Sequence, residues 1–231
     1  MTLTQATWNC AKMMLTLTLP IQAMINPTGP RNTHHFCNQQ AVKILEQDGL
    51  RSEALLLKSH LTALNQGSFW CDRGFKNISH YYNHRQNTGL WHGPDAPTEC
   101  QGYFTRALKY WRLGQQEKAF FYLGAASHIL QDLCVPHHAG GIVLSGHKHF
   151  EDWARSHYEE FASSSSGIYN LAGFPSAWVK ENAMVSCNYL PVLVQEQPTP
   201  LMEQVVGLML QRAQKTTSGF FYFFLQMASQ R

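Results

Sequence analysis

Helical periodicity is the feature that most limits how this 231-residue chain can fold. Apolar residues recur three or four positions apart through most of the sequence, and no segment alternates apolar and polar residues as a half-buried strand would. Five helices are predicted with both ends, at residues 39–47, 99–113, 117–133, 147–161 and 200–229. A further helix is capped by Ser52 and ends before Gly67, and another begins at Pro175. The length fits one domain, so we predict an all-α, single-domain bundle of helices.

Composition leaves histidine as the residue type that needs an explanation. Charged residues make up only 14% of the chain, against about 25% in a typical domain, and the chain contains 12 histidines. A formal net charge of +3 is too small to indicate a nucleic-acid or anionic-membrane partner by itself. No run of 18 apolar residues occurs, so we predict no transmembrane span.

Residues 1–27 are predicted to form a segment separate from a helical domain at 28–231. The apolar stretch 13–25 follows Lys12, is interrupted by threonines and a proline, and contains a poor cleavage site after Ala23. We interpret it as a weak secretion signal or pro-segment, with an ordinary buried segment as the alternative. A signal would favour a secreted or cell-envelope protein, whereas an ordinary buried segment would be compatible with a cytoplasmic one. The six cysteines show no metal-knuckle or redox spacing and are expected to be buried free thiols.

Residues 67–98 break the helical pattern. The segment is rich in glycine, asparagine and histidine and follows no period. Such a long irregular stretch is uncommon in a compact domain and is usually functional or disordered. Its aromatic residues argue against disorder: Trp70, Phe75, Tyr81, Tyr82 and Trp91. We therefore predict an ordered functional loop.

Two histidine–carboxylate pairs carry the strongest chemical signal. His128 and Asp132 are four positions apart on a predicted helix and therefore share one face, and His147 and Glu151 repeat the spacing. Pro136, which ends the first of these helices, places His138 where the chain turns away. Zn²⁺ binds such mixed imidazole and carboxylate ligands at roughly 2.0–2.2 Å.

One such pair alone would normally be a surface ion pair. Here two pairs lie close together in the sequence, and the first follows the strongly apolar run 119–123. An unpaired carboxylate on an apolar helix face would be costly to bury, and a bound cation removes that cost. The two pairs therefore indicate a bound metal ion.

These residues resemble a known family. Residues 119–124 followed by His128, Asp132, Pro136, His138, His147 and Glu151 are similar to the zinc-binding core of the bacterial zinc-dependent phospholipases C. The similarity also covers Thr33-His34 and the helix at 41–48 that follows. It further covers the segment 67–72, which contains Asp72, the segment 79–82, which contains His80, and the C-terminal residues Ala213, Gln214, Thr216 and Phe220. It extends from His34 to the C-terminus.

The resemblance implies a cluster of two to three zinc ions in a cleft of the bundle, and it implies which side chains bind each ion. The first ion would be held by Asp72, His80, His128 and Asp132, the second by His138, His147 and Glu151, and the third by His34 and a bridging Asp132. In the family the backbone of an N-terminal Trp completes the third site, and Thr28 or Gly29 occupies that region here. The turn at Pro136 is expected to direct His138 to the metal and His137 to solvent or a neighbouring loop.

The implied function is hydrolysis of phosphodiesters. We expect a phospholipase C that acts peripherally at a membrane surface and releases diacylglycerol and a phosphorylated head group, with Asp72 orienting or deprotonating the attacking water. A single-strand-specific zinc nuclease of the same superfamily is the alternative enzyme. Its last ligand is usually Asp, so Glu151 favours the phospholipase. A non-catalytic helical protein stabilised by zinc is the third interpretation.

Head-group preference is left open by two positions. The choline-selective members carry aromatic residues where this chain has Arg73 and Asn77, and a quaternary ammonium stacks on such rings. The guanidinium of Arg73 would suit an anionic or inositol-type head group at least as well as choline.

Overall fold

A computed structural model describes residues 32–74, 76–193 and 200–230 of the chain. Its α-helices are α1 Thr33–Gln47, α2 Arg51–Ser59, α3 Leu61–Cys71, α4 Ala96–Arg112, α5 Gln116–Asp132, α6 Pro136–Gly140, α7 His147–His157, α8 Pro175–Ser186 and α9 Pro200–Ser229. Short 3₁₀ helices lie at Lys76–His80, Leu90–His92, Tyr158–Phe161 and Cys187–Val192. Within these residues there is no β-strand and only one isolated bridge, between Asn83 and Thr88. The predicted all-α class is confirmed. The predicted N-terminal segment and its boundary, with Thr28 and Gly29, lie outside the described residues.

Helix α5 forms the centre of the bundle. Every side chain from Leu123 to Asp132 is buried, so the second half of the helix is surrounded on all sides. The core around it is strongly aromatic and includes Phe104, Phe120, Trp178, Phe220 and Phe224. Burial of one such side chain contributes roughly 1.5–3 kcal/mol. This packing holds in place the end of α5 that carries His128 and Asp132.

Helices α3 and α5 approach each other at two glycines. A Cβ atom on Gly67 would lie 1.8 Å from the carbonyl oxygen of Phe121, and one on Gly124 would lie 1.9 Å from that of Leu64. The prediction of one helix that is capped by Ser52 and ends before Gly67 was wrong, since the chain forms two helices there and α3 continues to Cys71. Glycine usually weakens a helix, but here it permits backbone contact between two helices. The contact brings the C-terminal end of α3 beside α5.

The predicted helix starts need two corrections. Helix α1 begins at Thr33, six residues before the predicted start, because the Asn32 side chain accepts a hydrogen bond from the His35 amide (3.0 Å). Ser52 lies inside α2, and its hydroxyl donates to Glu53 instead of capping the helix. Pro175 and Pro200 are the first residues of α8 and α9, as predicted.

The long segment at 67–98 is ordered over its described residues. Backbone hydrogen bonds tie it to the rest of the protein: the Tyr82 amide donates to the His138 carbonyl (3.0 Å), and the His84 amide donates to Ala139 (3.0 Å). The loop is therefore attached to α6, which carries His138. The cysteines in the described residues are buried free thiols, as predicted. No helix in the described ranges has both the length and the apolar character needed to cross a bilayer.

The serine-rich linker at 163–167 is fastened to the end of α1. Asp48 accepts hydrogen bonds from the backbone amides of Ser166 (2.9 Å) and Gly167 (2.8 Å) and from the Tyr169 hydroxyl (2.6 Å). Partial burial alone would raise the pKa of the Asp48 carboxyl, but these hydrogen bonds outweigh burial and lower its pKa. The carboxylate is therefore a structural anchor for the linker.

Candidate metal centre

The predicted ligands meet at one cleft with a volume of about 320 Å³. They come from α1, the end of α3, the 3₁₀ helix Lys76–His80, α5, α6 and α7. All of them line the cleft except His80, which is completely buried behind it. Three groups of these side chains have ligand atoms within 4.8 Å of one another: His34, His128 and Asp132; Asp72, His80 and His128; and His138, His147 and Glu151.

Asp132 connects the first two groups, because it belongs to the first and contacts two members of the second. Its Oδ2 lies 2.8 Å from Nδ1 of His80 and 3.1 Å from Nε2 of His128. Its Oδ1 lies 3.5 Å from Nε2 of His34, whose ring stacks on that of His128 with centroids 3.9 Å apart. The two oxygens therefore face different groups of imidazoles, as a bridging carboxylate requires.

Asp72 lies at the open side of the cleft. It is the C-cap of α3, and its side chain is 58% exposed, with Oδ1 4.0 Å from Nε2 of His128. Water can therefore reach this carboxylate, in contrast to Asp132, whose side chain is only 7% exposed. A structural zinc ion usually has four protein ligands and no free coordination position, whereas solvent can enter this cleft beside Asp72.

The third group is built across the turn between α6 and α7. Oε1 of Glu151 lies 2.8 Å from Nε2 of His147 and 3.3 Å from Nε2 of His138. The His147–Glu151 pair is separated by one helical turn, as the sequence spacing predicted. Tyr81 stacks on the His138 ring with centroids 4.4 Å apart, a contact that the sequence did not predict.

Backbone carbonyls orient two of these imidazoles. Nδ1 of His138 donates to the carbonyl of His80 (3.0 Å), and Nδ1 of His147 donates to the carbonyl of Val143 (3.3 Å). A carbonyl only accepts hydrogen bonds, so the proton resides on Nδ1 and Nε2 is the nitrogen directed to the cluster. Such outer hydrogen bonds are the usual way in which metal-binding histidines are held.

His80 is oriented in the opposite sense. Its Nδ1 faces Asp132, while its Nε2 lies 3.3 Å from the Cys71 sulfur, a weak hydrogen-bonding partner. Cys71 was not among the predicted site residues, although it directly precedes Asp72 in the sequence. Burial raises the pKa of this thiol well above its ordinary value, so Cys71 is a neutral neighbour of the cluster.

The electrostatics keep the central carboxylates ionised. Burial alone would raise the pKa of Asp132, but His128 and His138 lower it well below its usual value. Burial would likewise raise the pKa of Glu151, and hydrogen bonds from His138 and His147 lower it. Burial lowers the pKa of His138, but Asp132 and Glu151 raise it to about 9. Asp132 and Glu151 are therefore ionised, and in the metal-free protein a protonated His138 lies between them.

The donor chemistry fits zinc. Imidazole nitrogens and carboxylate oxygens are the ligands that Zn²⁺ prefers when thiolates are absent. Each of the three groups combines two imidazoles with one carboxylate. Nδ1 of His128 is buried and has no hydrogen-bond partner among the described residues, and its Nε2 faces Asp132.

His137 does not face solvent as one predicted alternative had it. Only 1% of the residue is exposed, because its ring stacks on His147 and lies against Phe150. Its side chain belongs to none of the three ligand groups, whereas His138 belongs to the third. The turn at Pro136 separates the two side chains, but it buries both.

The rest of the cleft combines an apolar wall with a few polar groups. Val206, Met209 and Leu210 of α9 form that wall. Asn77 lines the cleft, but Arg73 does not, because its guanidinium lies over the Phe69 ring, 5.3 Å from the centroid.

The fold and the donors define an all-helical metal-binding protein with several ligand groups in one cleft. The family model described as zinc dependent phospholipase C matches residues 33–172, which is more than half of the chain. The chain belongs to this zinc-dependent family.

Individual relatives agree with that assignment. Phospholipase C of Clostridium perfringens is 25% identical over an alignment of 237 positions, gaps included, which spans 86% of this chain and 59% of the relative. Phospholipase C of Listeria monocytogenes is 34% identical over 131 residues, 51% of this chain and 45% of the relative. The chain thus spans less than two thirds of the length of these relatives. The solved alpha toxin of Clostridium absonum has the same fold, with a TM-score of 0.76 at 22% identity over 86% of this chain and 64% of the toxin.

Proposed function

We propose that the protein is a zinc-dependent phospholipase C, which hydrolyses glycerophospholipids to diacylglycerol and a phosphorylated head group. The observation that carries this proposal is the central position of Asp132. One of its oxygens faces His80 and His128 and the other faces His34, so ions on both sides would share one carboxylate. Closely spaced metal ions suit a phosphodiester, because several oxygens of the reacting group need stabilisation at once.

The proposed ligands divide among two to three ions. Asp72, His80, His128 and Asp132 hold the first, His138, His147 and Glu151 the second, and His34 with the bridging Asp132 the third. The distances within the three groups support this division.

The chemistry needs both the metal and the protein. When bound, zinc supplies Lewis-acid polarisation of the phosphoryl oxygens and makes water more acidic. Two or three Zn²⁺ ions also outweigh the charge of three carboxylates, and the resulting positive cleft attracts an anionic phosphodiester. Asp72 is the residue we assign to orient or deprotonate the attacking water, because its carboxylate is exposed at the mouth of the cleft beside His128.

The apolar wall supports a lipid substrate. Val206, Met209 and Leu210 give the glycerol and acyl part a surface to lie against while the phosphate faces the ligands. The protein would act peripherally at a membrane surface, and a secreted or cell-envelope location follows from the proposed signal at 13–25. At position 77 the cleft is lined by an asparagine and not by an aromatic ring that could stack on choline, and the Arg73 guanidinium lies away from the cleft.

The test is a parallel assay of the purified protein on phospholipid vesicles and on single-stranded DNA. We expect release of phosphorylated head groups from the vesicles, loss of that release with a chelator, and recovery with added zinc. Cleavage of DNA without lipid hydrolysis would identify the nuclease instead. Tight zinc binding without hydrolysis of either substrate would leave only the structural role for the metal.

A further inference from the structure

We propose that Gln131 is a positioning residue that holds His34 in the tautomer required for metal binding. This inference rests on the proposed zinc cluster, in which His34 is a ligand. Gln131 precedes the bridging Asp132 in α5 and is 4% exposed. No sequence motif pointed to it, although an amide in the apolar surroundings of α5 is unusual.

The amide of Gln131 uses both of its ends. Its Oε1 lies 2.9 Å from Nδ1 of His34. Its Nε2 donates to Oδ1 of Asn38 (3.0 Å) and to the hydroxyl of Thr217 (3.1 Å). The side chain thus joins α1, α5 and α9 directly behind the cluster.

The direction of these hydrogen bonds can be traced from a backbone carbonyl. The Ser68 hydroxyl donates to the carbonyl of Gly124 (2.9 Å), which can only accept. The Ser68 oxygen then accepts from Nδ2 of Asn38 (3.1 Å). The Asn38 amide is thereby oriented with Oδ1 toward Gln131, and Oδ1 also accepts from Ser127 (3.3 Å).

The same direction continues to the histidine. Because Nε2 of Gln131 faces Asn38, Oε1 faces His34, and the Nδ1 of His34 must donate. The proton is then on Nδ1, and the lone pair of Nε2 points to Oδ1 of Asp132 (3.5 Å). Gln131 therefore does for His34 what the carbonyls of His80 and Val143 do for His138 and His147.

The opposite tautomer would require a different network. Turning the Gln131 amide round would force Asn38 to turn as well, and Ser68 would give up its hydrogen bond to Gly124. His34 would then carry its proton on Nε2, between the ring and Asp132, where it would have to be displaced before a cation could bind. The two networks therefore differ in which ring nitrogen of His34 carries the proton, and that difference can be measured.

The first test is the tautomer of His34 in the unmodified protein. Nitrogen-15 NMR of histidine-labelled, zinc-free protein near neutral pH distinguishes a protonated Nδ1 from a protonated Nε2, and the signal absent from His34→Asn assigns the residue. We expect the proton on Nδ1. A proton on Nε2 would overturn the proposal. The measurement involves no lipid, so its failure is distinct from failure of the proposed phospholipase activity.

The second test separates positioning from packing. Gln131→Met keeps the size of the side chain but removes the acceptor for His34, whereas Thr217→Val removes a hydrogen bond at the other end of the same amide. Titration with a competing chelator should show one zinc weakened by about 10–100-fold in Gln131→Met and little change in Thr217→Val. Equal losses of zinc affinity in the two variants would mean that Gln131 only packs the core. If Gln131→Met fails to fold, the tautomer of the unmodified protein decides.

Discussion

The imidazole ring of His137 lies nearly parallel to that of His147, with centroids 5.1 Å apart and 16° between the planes. The next residue, His138, instead directs Nε2 to Oε1 of Glu151 at 3.3 Å. Successive residues on a helix point about 100° apart, so one of these neighbours packs behind the cluster while the other enters it.

This division predicts different effects of two alanine substitutions. His138→Ala should lose one zinc and nearly all activity, because it removes one of three ligands of that ion. His137→Ala should retain the zinc with an affinity lowered by about 10–100-fold at most, since its ring touches a ligand without being one. Titration with a competing chelator measures both. The reverse ranking would place the ligand one residue earlier and displace the assigned register after Asp132.

The zinc content follows from the three ligand groups. Elemental analysis after dialysis should find about two to three ions per chain. The ion beside His34 should be released first, because the other members of its group also lie against the neighbouring group. A content below one equivalent would contradict the cluster.

Asp72 is expected to be essential for turnover. Asp72→Asn should lower phospholipid hydrolysis by roughly 10²-fold or more if the carboxylate acts as the base. Glu117→Gln is the control, because this carboxylate is 74% exposed and lies at the opposite end of α5 from Asp132. Unimpaired vesicle turnover by zinc-loaded Asp72→Asn would remove this residue from the reaction.

The close approach of α3 and α5 predicts a contrast among glycines. Gly67→Ala and Gly124→Ala should each destabilise the fold by about 1–3 kcal/mol or more, because the new methyl group would overlap a backbone carbonyl. Gly102→Ala on the exposed face of α4 meets no atom within 4 Å and should stabilise by up to about 1 kcal/mol. Urea unfolding of the three variants gives the comparison. Equal effects at all three positions would argue against the backbone contact.

The Asp48 anchor predicts a pH dependence of stability. Asp48→Ala should lower the free energy of unfolding by about 1–3 kcal/mol at neutral pH, since it removes hydrogen bonds to a charged group. The folded-state pKa of Asp48 lies below the unfolded value of about 3.9, so its contribution is complete above that pH and is lost as pH falls through the folded-state pKa. The difference between wild type and variant should therefore shrink in acid. Urea unfolding of both proteins at neutral pH and near pH 3 measures it, and a constant difference would contradict the role of the charge.

The helix content and the two histidine–carboxylate pairs could be predicted because both depend on local spacing. The pairs His128–Asp132 and His147–Glu151 share a helix face whatever surrounds them. The early start of α1 was missed because its signal is a single Asn32 side chain, and the apolar pattern begins later.

Other features depend on contacts between distant segments. Gly67 looks like a helix end until Phe121 is known to lie against it. His137 looks like a surface residue until the ring of His147 is placed over it. Gln131 carried no local signal, because its partners His34 and Thr217 are far away in the sequence.

The chain of hydrogen bonds from the Gly124 carbonyl to His34 limits how this sequence can evolve. Each member donates or accepts a hydrogen bond in a definite direction, so replacing a donor by an acceptor leaves the next residue without a partner. Ser68, Asn38 and Gln131 should therefore change together among homologues. A homologue that has lost one of them would be expected to carry a compensating replacement at another, or to hold its N-terminal histidine by a different partner.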